Sequence, residues 1–334
     1  MRIAVIGAGG WGTALAKLLS VIGHQVCLWV RQPALREQIK RERENRSYLP
    51  GAQLPETLAC TTSLSEAACE AQLLVLAVPS HAMRATVTPL KPFLAGLPLL
   101  VSVSKGVEEE SLWTMSAVLL SVLGEAYKSH LAVLSGPSFA AEVVRGLPTA
   151  VTVASSDATT ASAVQSVFSS SRFRVYTALD VIGVEIGGAV KNVIAIAAGV
   201  SDGLGYGYSA RAALITRGLA EITRLAVRLG ADPRTLSGLS GVGDLVLTCT
   251  SDLSRNRSLG VQLGRGEDIT TILAGMKMVA EGVRTCRSVF ALARGLEVEM
   301  PIVEQVYALL YEKKPPPQVV ADLLAREVKP EFSR

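Results

Sequence analysis

Up to about residue 155, short runs of Val, Ile and Leu recur between amphipathic segments, at 3–6, 26–30, 73–78, 99–103, 131–134 and 150–153. Runs without strict alternation fit strands buried on both faces, and the amphipathic stretches between them supply the covering helices. The pattern therefore predicts a parallel sheet built from βαβ units. One more strand-like piece lies at 173–176. The apolar positions then change to a helical period, as in Leu214, Ile215, Leu219, Ile222, Leu225, Ala226 and Leu229. Pro301 stands where a helix can begin, and Pro315-Pro316-Pro317 interrupts the pattern before a last short helix through Leu323 and Leu324. The expectation is an α/β unit over residues 1–180 followed by an all-α unit over residues 181–334.

The longest nearly apolar stretch, 181–200, approaches membrane-spanning length. It carries Glu185, Lys191 and Asn192, each costly in lipid, so it reads as a buried helix with a functional face. The apolar run at 1–7 is too short for the core of a secretory signal and is followed at once by glycines.

Composition narrows the class. Hydrophobic residues make up 49%, charged residues 19% and aromatics 5%, which gives an aliphatic interior and excludes a disordered chain. The net charge of +4 suits an anionic small ligand and does not call for nucleic acid. Cys27, Cys60, Cys69, Cys249 and Cys286 form no CxxC pair, which favours reduced thiols and a cytoplasmic location. His24, His81 and His130 lack metal-ligand spacing, so no catalytic metal is expected.

Gly7-Ala8-Gly9-Gly10-Trp11-Gly12 matches G-x-G-x-x-G immediately after a predicted strand, and Thr13-Ala14-Leu15-Ala16-Lys17-Leu18-Leu19 continues as a helix. Alone, such a run is an ordinary glycine turn. Between a strand and a helix, with a second strand ending about 20 residues later, it reads as a Rossmann-type dinucleotide site: the turn lets the pyrophosphate approach the backbone and meet a helix N-terminus. Where an NAD-binding chain usually has an acid for the ribose, this one has Val30-Arg31-Gln32. Arg31 can pair with a 2′-phosphate, which favours NADP(H), with NAD(H) as the alternative.

Gly187 and Gly188 lie one turn before Lys191 and Ala195 one turn after it, so small neighbours leave room for a ligand beside a lysine whose pKa burial would tune for proton donation. Ser237-Gly238-Leu239-Ser240-Gly241-Val242-Gly243-Asp244 reads as a glycine-rich loop. In Ser251-Asp252-Leu253-Ser254-Arg255-Asn256-Arg257, Ser254, Arg255 and Asn256 could cradle a phosphate at a helix start; equally, Ser254 could be a plain N-cap beside solvated arginines. Spacing does not separate those readings. Cys249 has no activating His nearby and reads as an inert buried thiol.

In this order the blocks GAGGWGTALA (7–16), NRSYLPG (45–51), VPSHAMR (78–84), VSKGVE (103–108), LSGPSFAAEV (134–143), GGAVKNVIAIAAGVSDGLG (187–205), ALITRGLAEITRL (213–225), GVGDLVLTCTSDLSRN (241–256) and VAEGVRT (279–285) resemble the bacterial-type NAD(P)-dependent glycerol-3-phosphate dehydrogenases over nearly the whole chain. The resemblance implies a cytosolic oxidoreductase interconverting dihydroxyacetone phosphate and sn-glycerol 3-phosphate for phospholipid synthesis, acting on a small phosphorylated substrate. No nucleic-acid partner or stable membrane insertion is implied, and a homodimer is compatible. Lys191 would be the acid/base residue. Lys105, Gly136, Ser138, Lys191, Asp244, Ser254, Arg255 and Asn256 would meet the substrate. Gly10, Trp11, Arg31, Lys105, Ala140, Arg255, Val279 and Glu281, with the glycine turn of Gly7, Gly9 and Gly12, would meet the cofactor. Asp244 could hydrogen-bond a substrate hydroxyl or orient Lys191. The alternatives are a β-hydroxyacid or 6-phosphogluconate-type dehydrogenase, which also uses a helical lysine, and a non-catalytic dinucleotide sensor, for which a proton donor and an anion cradle would be superfluous.

Overall fold

The computed structural model describes residues 1–94, 96–276, 280–328 and 330–331. Its strands are β1 (Arg2–Ile6), β2 (Gln25–Trp29), β3 (Glu44–Asn45), β4 (Leu49–Gln53), β5 (Ala59–Thr61), β6 (Leu73–Leu76), β7 (Leu99–Ser102), β8 (Leu131–Ser135), β9 (Thr149–Ala154) and β10 (Phe173–Ala178). Eight of them form one sheet in the order β10-β9-β8-β7-β6-β1-β2-β5. The strand order reverses between β1 and β6, which creates the crevice at the carboxyl ends of the strands where doubly wound sheets hold their ligands. β6 and β8 are buried along their whole length, as unalternated apolar runs require.

The βαβ expectation holds except at one pair, since β8 and β9 are antiparallel. Between them the chain forms only the one-turn helix Ala140–Val143, too little to carry it back across the sheet for a parallel return. The helix Ala158–Phe168 then restores the parallel rhythm from β9 to β10. The sequence reading also missed β5 and the β3-β4 ribbon: β3 has two residues, and β4 contains Pro50 and Gly51, which read as a turn.

After β10 the chain is helical. Asp180 caps the helix Val181–Gly203, accepting from Gly183 N–H at 2.8 Å and, through its other oxygen, from Asp232 N–H at 2.9 Å. The most apolar stretch of this helix is 83% buried inside the protein, so its hydrophobicity serves the core of the helical unit. It crosses the helix Arg255–Gly264 at backbone contact, because Gly199 and Gly203 face Gly260 and Gly264. A Cβ on Gly199 would stand 2.1 Å from the Arg257 carbonyl oxygen, so any larger residue would push the helices apart. Helices begin at Pro301 and just after Pro315, as expected.

Candidate active site

At the sheet's switch point the chain leaves β1 through Gly7, whose φ of +119° only glycine holds without strain. Gly12, in the first turn of the helix Gly10–Ile22, packs so closely that a Cβ would lie 1.9 Å from the Gly7 carbonyl oxygen. Gly9 is the N-cap, no side chain caps the helix, and a Cβ on Gly9 would meet nothing within 4 Å. First-turn N–H groups, open space at Gly9 and the absence of an acidic side chain in that turn fit the pyrophosphate of a dinucleotide. Trp11 is half-buried in the same turn, and Ala140 stands beside Gly10. Arg31 follows β2 at the same sheet edge, exposed and without an ion pair among the described residues.

The carboxyl ends of β7 and β8 bring in the next groups. Lys105 Nζ donates to the Gly136 carbonyl at 3.3 Å, and Ser138 Oγ donates to the same oxygen at 3.0 Å. From the helical side, Lys191 Nζ donates to Asp244 Oδ1 at 2.6 Å and to Thr248 Oγ1 at 2.7 Å, while Lys105 Nζ donates to Asp244 Oδ2 at 2.6 Å. Asp244 is 1% exposed, so one buried carboxylate holds two ammonium groups. Burial lowers the Lys191 pKa to about 8, Asp244 opposes that shift, and the Lys105 charge adds to it.

At Gly187 and Gly188, where the sequence suggests room for a ligand, the space beside the backbone is filled by protein atoms. A Cβ on Gly187 would lie 2.7 Å from the Ser240 carbonyl oxygen, and one on Gly188 would lie 2.7 Å from Ser135 Oγ with the Lys105 stem next to it. Gly188 instead makes room for the Lys105 stem, and Gly187 for the backbone at Ser240. The stretch before Asp244 is likewise no open loop: Leu239–Gly243 is a π-helical turn running into the helix Asp244–Thr250. Thr248 was missed, though its place four residues after Asp244 on that helix is a legible signal.

Ser254 is the N-cap of the helix Arg255–Gly264 and accepts from Arg257 N–H at 3.2 Å. Asn256 is buried. Its Nδ2 donates to Asn192 Oδ1 at 3.0 Å, and its Oδ1 accepts from Gly282 N–H at 3.0 Å, so most of its amide is committed to joining helices. Arg257 is not solvated: it donates to Asp202 at 2.8 Å and to Asp252 at 2.6 Å. Arg255 begins the helix and is exposed. Glu281 begins the helix Glu281–Gly295; burial pushes its carboxyl up to about 7 against the charges of Arg255, Lys105 and Lys191. Val279 lies outside the described residues. Burial pushes the Cys249 thiol up to about 12, in keeping with an inert side chain.

Lys105, Gly136 and Ser138 from the sheet half thus meet Lys191, Asp244 and Thr248 from the helical half. The family model for the NAD-dependent glycerol-3-phosphate dehydrogenase N-terminus matches residues 2–161, and that for the C-terminus matches residues 180–321. A protein of Syntrophotalea carbinolica named glycerol-3-phosphate dehydrogenase (NAD(P)+) is 55% identical over 332 residues, covering 99% of this chain and 100% of its own. One of Geobacter sp. strain M21 with the same name is 53% identical over 330 residues, covering 99% and 98%. The crystal structure of glycerol-3-phosphate dehydrogenase from Coxiella burnetii superposes with a TM-score of 0.93 at 40% identity, covering 97% of this chain and 99% of that one. The chain belongs to the NAD-dependent glycerol-3-phosphate dehydrogenase family.

Proposed function

We propose that this chain reduces dihydroxyacetone phosphate reversibly to sn-glycerol 3-phosphate with a nicotinamide dinucleotide, in the cytoplasm and in support of phospholipid synthesis. Its family and its relatives' names support the reaction and the use of NAD(P). At the site, the reading is carried by Asp244 held between Lys191 and Lys105 at 2.6 Å each.

Two ammonium groups against one carboxylate leave an excess positive charge for an anionic substrate. Lys191, with a pKa of about 8, holds its proton at neutral pH and can still release it, as protonating a ketone oxygen requires. Lys105 steadies negative charge developing on that oxygen. Asp244 orients both lysines, since each of its oxygens is already taken; that favours orientation over a bond to a substrate hydroxyl. Thr248 accepts a second Lys191 hydrogen and fixes the direction of the third. Gly136 and Ser138 line the sheet side of the substrate. Ser254, Arg255 and the first-turn N–H groups hold the phosphate, with Asn256 contributing its remaining amide hydrogen.

A nicotinamide dinucleotide bound at the glycine turn would supply or take up the hydride. Gly7, Gly9, Gly10, Trp11 and Gly12 would hold the dinucleotide, and Arg31 a 2′-phosphate, which favours NADP(H) over NAD(H). Lys105, Ala140, Arg255, Val279 and Glu281 are assigned to the cofactor by resemblance. We divide the chain at 180/181, which is supported by separate apolar clusters on the sheet and in the helices. The test follows nicotinamide absorbance in the purified chain with dihydroxyacetone phosphate, using NADPH and NADH separately. Turnover on the phosphorylated ketone is expected, and turnover only on hydroxy-carboxylic acids would overturn the reading.

A further inference from the structure

We propose that Asn45 is a positioning residue for the dinucleotide turn, tying the β3-β4 ribbon to Ala8 and Thr13 and thereby fixing where the first-turn N–H groups stand. This deepens, and rests on, the dinucleotide reading given above. Asn45 is 0% exposed. Its Nδ2 donates to the Ala8 carbonyl at 2.9 Å and to Thr13 Oγ1 at 2.8 Å, and its Oδ1 accepts from Tyr48 N–H at 3.2 Å. Both amide hydrogens and the carbonyl are therefore spent, a combination that a small side chain supplies only as a primary amide.

The partners lie on both sides of the turn: Ala8 between Gly7 and Gly9, and Thr13 just beyond Gly12. Tyr48, brought in by the same ribbon, places its carbonyl oxygen 3.0 Å from where a Gly10 Cβ would stand. Among the described residues, the ribbon pairs only with itself and adds no strand to the main sheet. Leu49, Ala52 and Leu54 bury it against the sheet's apolar cluster, so its attachment does not depend on Asn45. What Asn45 adds is the register between ribbon and turn. Removing its donors would leave the Ala8 carbonyl unsatisfied and the turn free to shift.

The test measures NADPH affinity by calorimetry, with steady-state kinetics, on wild type, Asn45→Asp and Thr13→Val. Asn45→Asp keeps the size and the Tyr48 contact but replaces Nδ2 with an oxygen. It should weaken NADPH binding by about tenfold or more, while kcat at saturating NADPH and KM for dihydroxyacetone phosphate stay within about twofold. Thr13→Val removes one of the two acceptors and should show the same selective loss at about threefold, which keeps the assignment testable if Asn45→Asp does not fold. Unchanged NADPH affinity in a folded variant, or a matching rise in the ketone KM, would overturn the role of Asn45. Wild type that binds no dinucleotide would instead overturn the functional reading on which it rests.

Discussion

Lys191 and Lys105, from opposite halves of the chain, reach the two oxygens of Asp244 at the same distance, 2.6 Å. The contact is both an ion-pair network and one of the joints between sheet and helical core. Because Asp244 is almost wholly buried, its charge acts on Lys191 with little screening.

Asp244→Asn should therefore alter the pH dependence more than the fold of the site. Asp244 raises the Lys191 pKa and the Lys105 charge lowers it, so without the carboxylate that pKa drops below about 8. Ketone reduction needs protonated Lys191, so the alkaline limb of kcat should move to lower pH. An unmoved limb in the pH–rate profile would show that another group titrates there.

Glu221 gives a stability prediction. It accepts from Ile302 N–H at 2.8 Å and Val303 N–H at 3.3 Å at the start of the helix Pro301–Tyr311, and burial pushes its carboxyl up to about 7 from the ordinary 4.5. The folded state thus holds this proton more tightly than the unfolded chain. The contribution is full below about pH 4.5 and is lost as pH rises through about 7, amounting to roughly 3 kcal/mol. Glu221→Gln cannot ionise, so its Tm should fall less than that of wild type between about pH 5 and about pH 8. Glu185 and Glu281 are shifted the same way but are present in both proteins, so the comparison isolates Glu221. Parallel curves would remove Glu221 as the cause.

The sheet strands and the long helix were legible because buried parallel strands and a core helix leave unbroken apolar runs, and the glycine turn because its spacing is tied to a strand and a helix. The ribbon holding Asn45 was not, since Pro50 and Gly51 mask a short strand and a lone buried Asn has no periodic signal. Lys191 stands out in the sequence for its small neighbours, but the space beside them is taken by protein: Gly187 admits the Ser240 backbone, and Gly188 admits Ser135 and the stem of the second lysine. Asp244, Gly136 and Ser138 are assigned only through family resemblance, because Asp244 joins the other two through Lys105, 139 residues away in the chain.

Arg255→Lys tests the phosphate turn. A point charge replaces a guanidinium fork, so KM for dihydroxyacetone phosphate should rise more than KM for NADPH, while unphosphorylated dihydroxyacetone, expected to be a poor substrate, is hardly affected. Paired steady-state series on the two ketones measure the difference. A proportional loss on both would assign Arg255 to the cofactor or to folding.

Arg31→Ala tests cofactor choice. If its guanidinium meets the 2′-phosphate, NADPH binding should weaken by about 1.5–3 kcal/mol and NADH binding stay nearly unchanged. Separate titrations with the two cofactors decide it, and equal losses would place Arg31 on a part of the site that both share.

The most direct measurement is NADPH oxidation by wild type and Lys191→Ala with dihydroxyacetone phosphate at saturating substrate and cofactor, accompanied by NADPH affinity. With Lys191 as the proton donor, kcat should fall by a factor on the order of 10² to 10⁴ while NADPH still binds. A variant that keeps kcat within a few-fold of wild type would contradict the role of Lys191 and leave the Asp244 network a structural one.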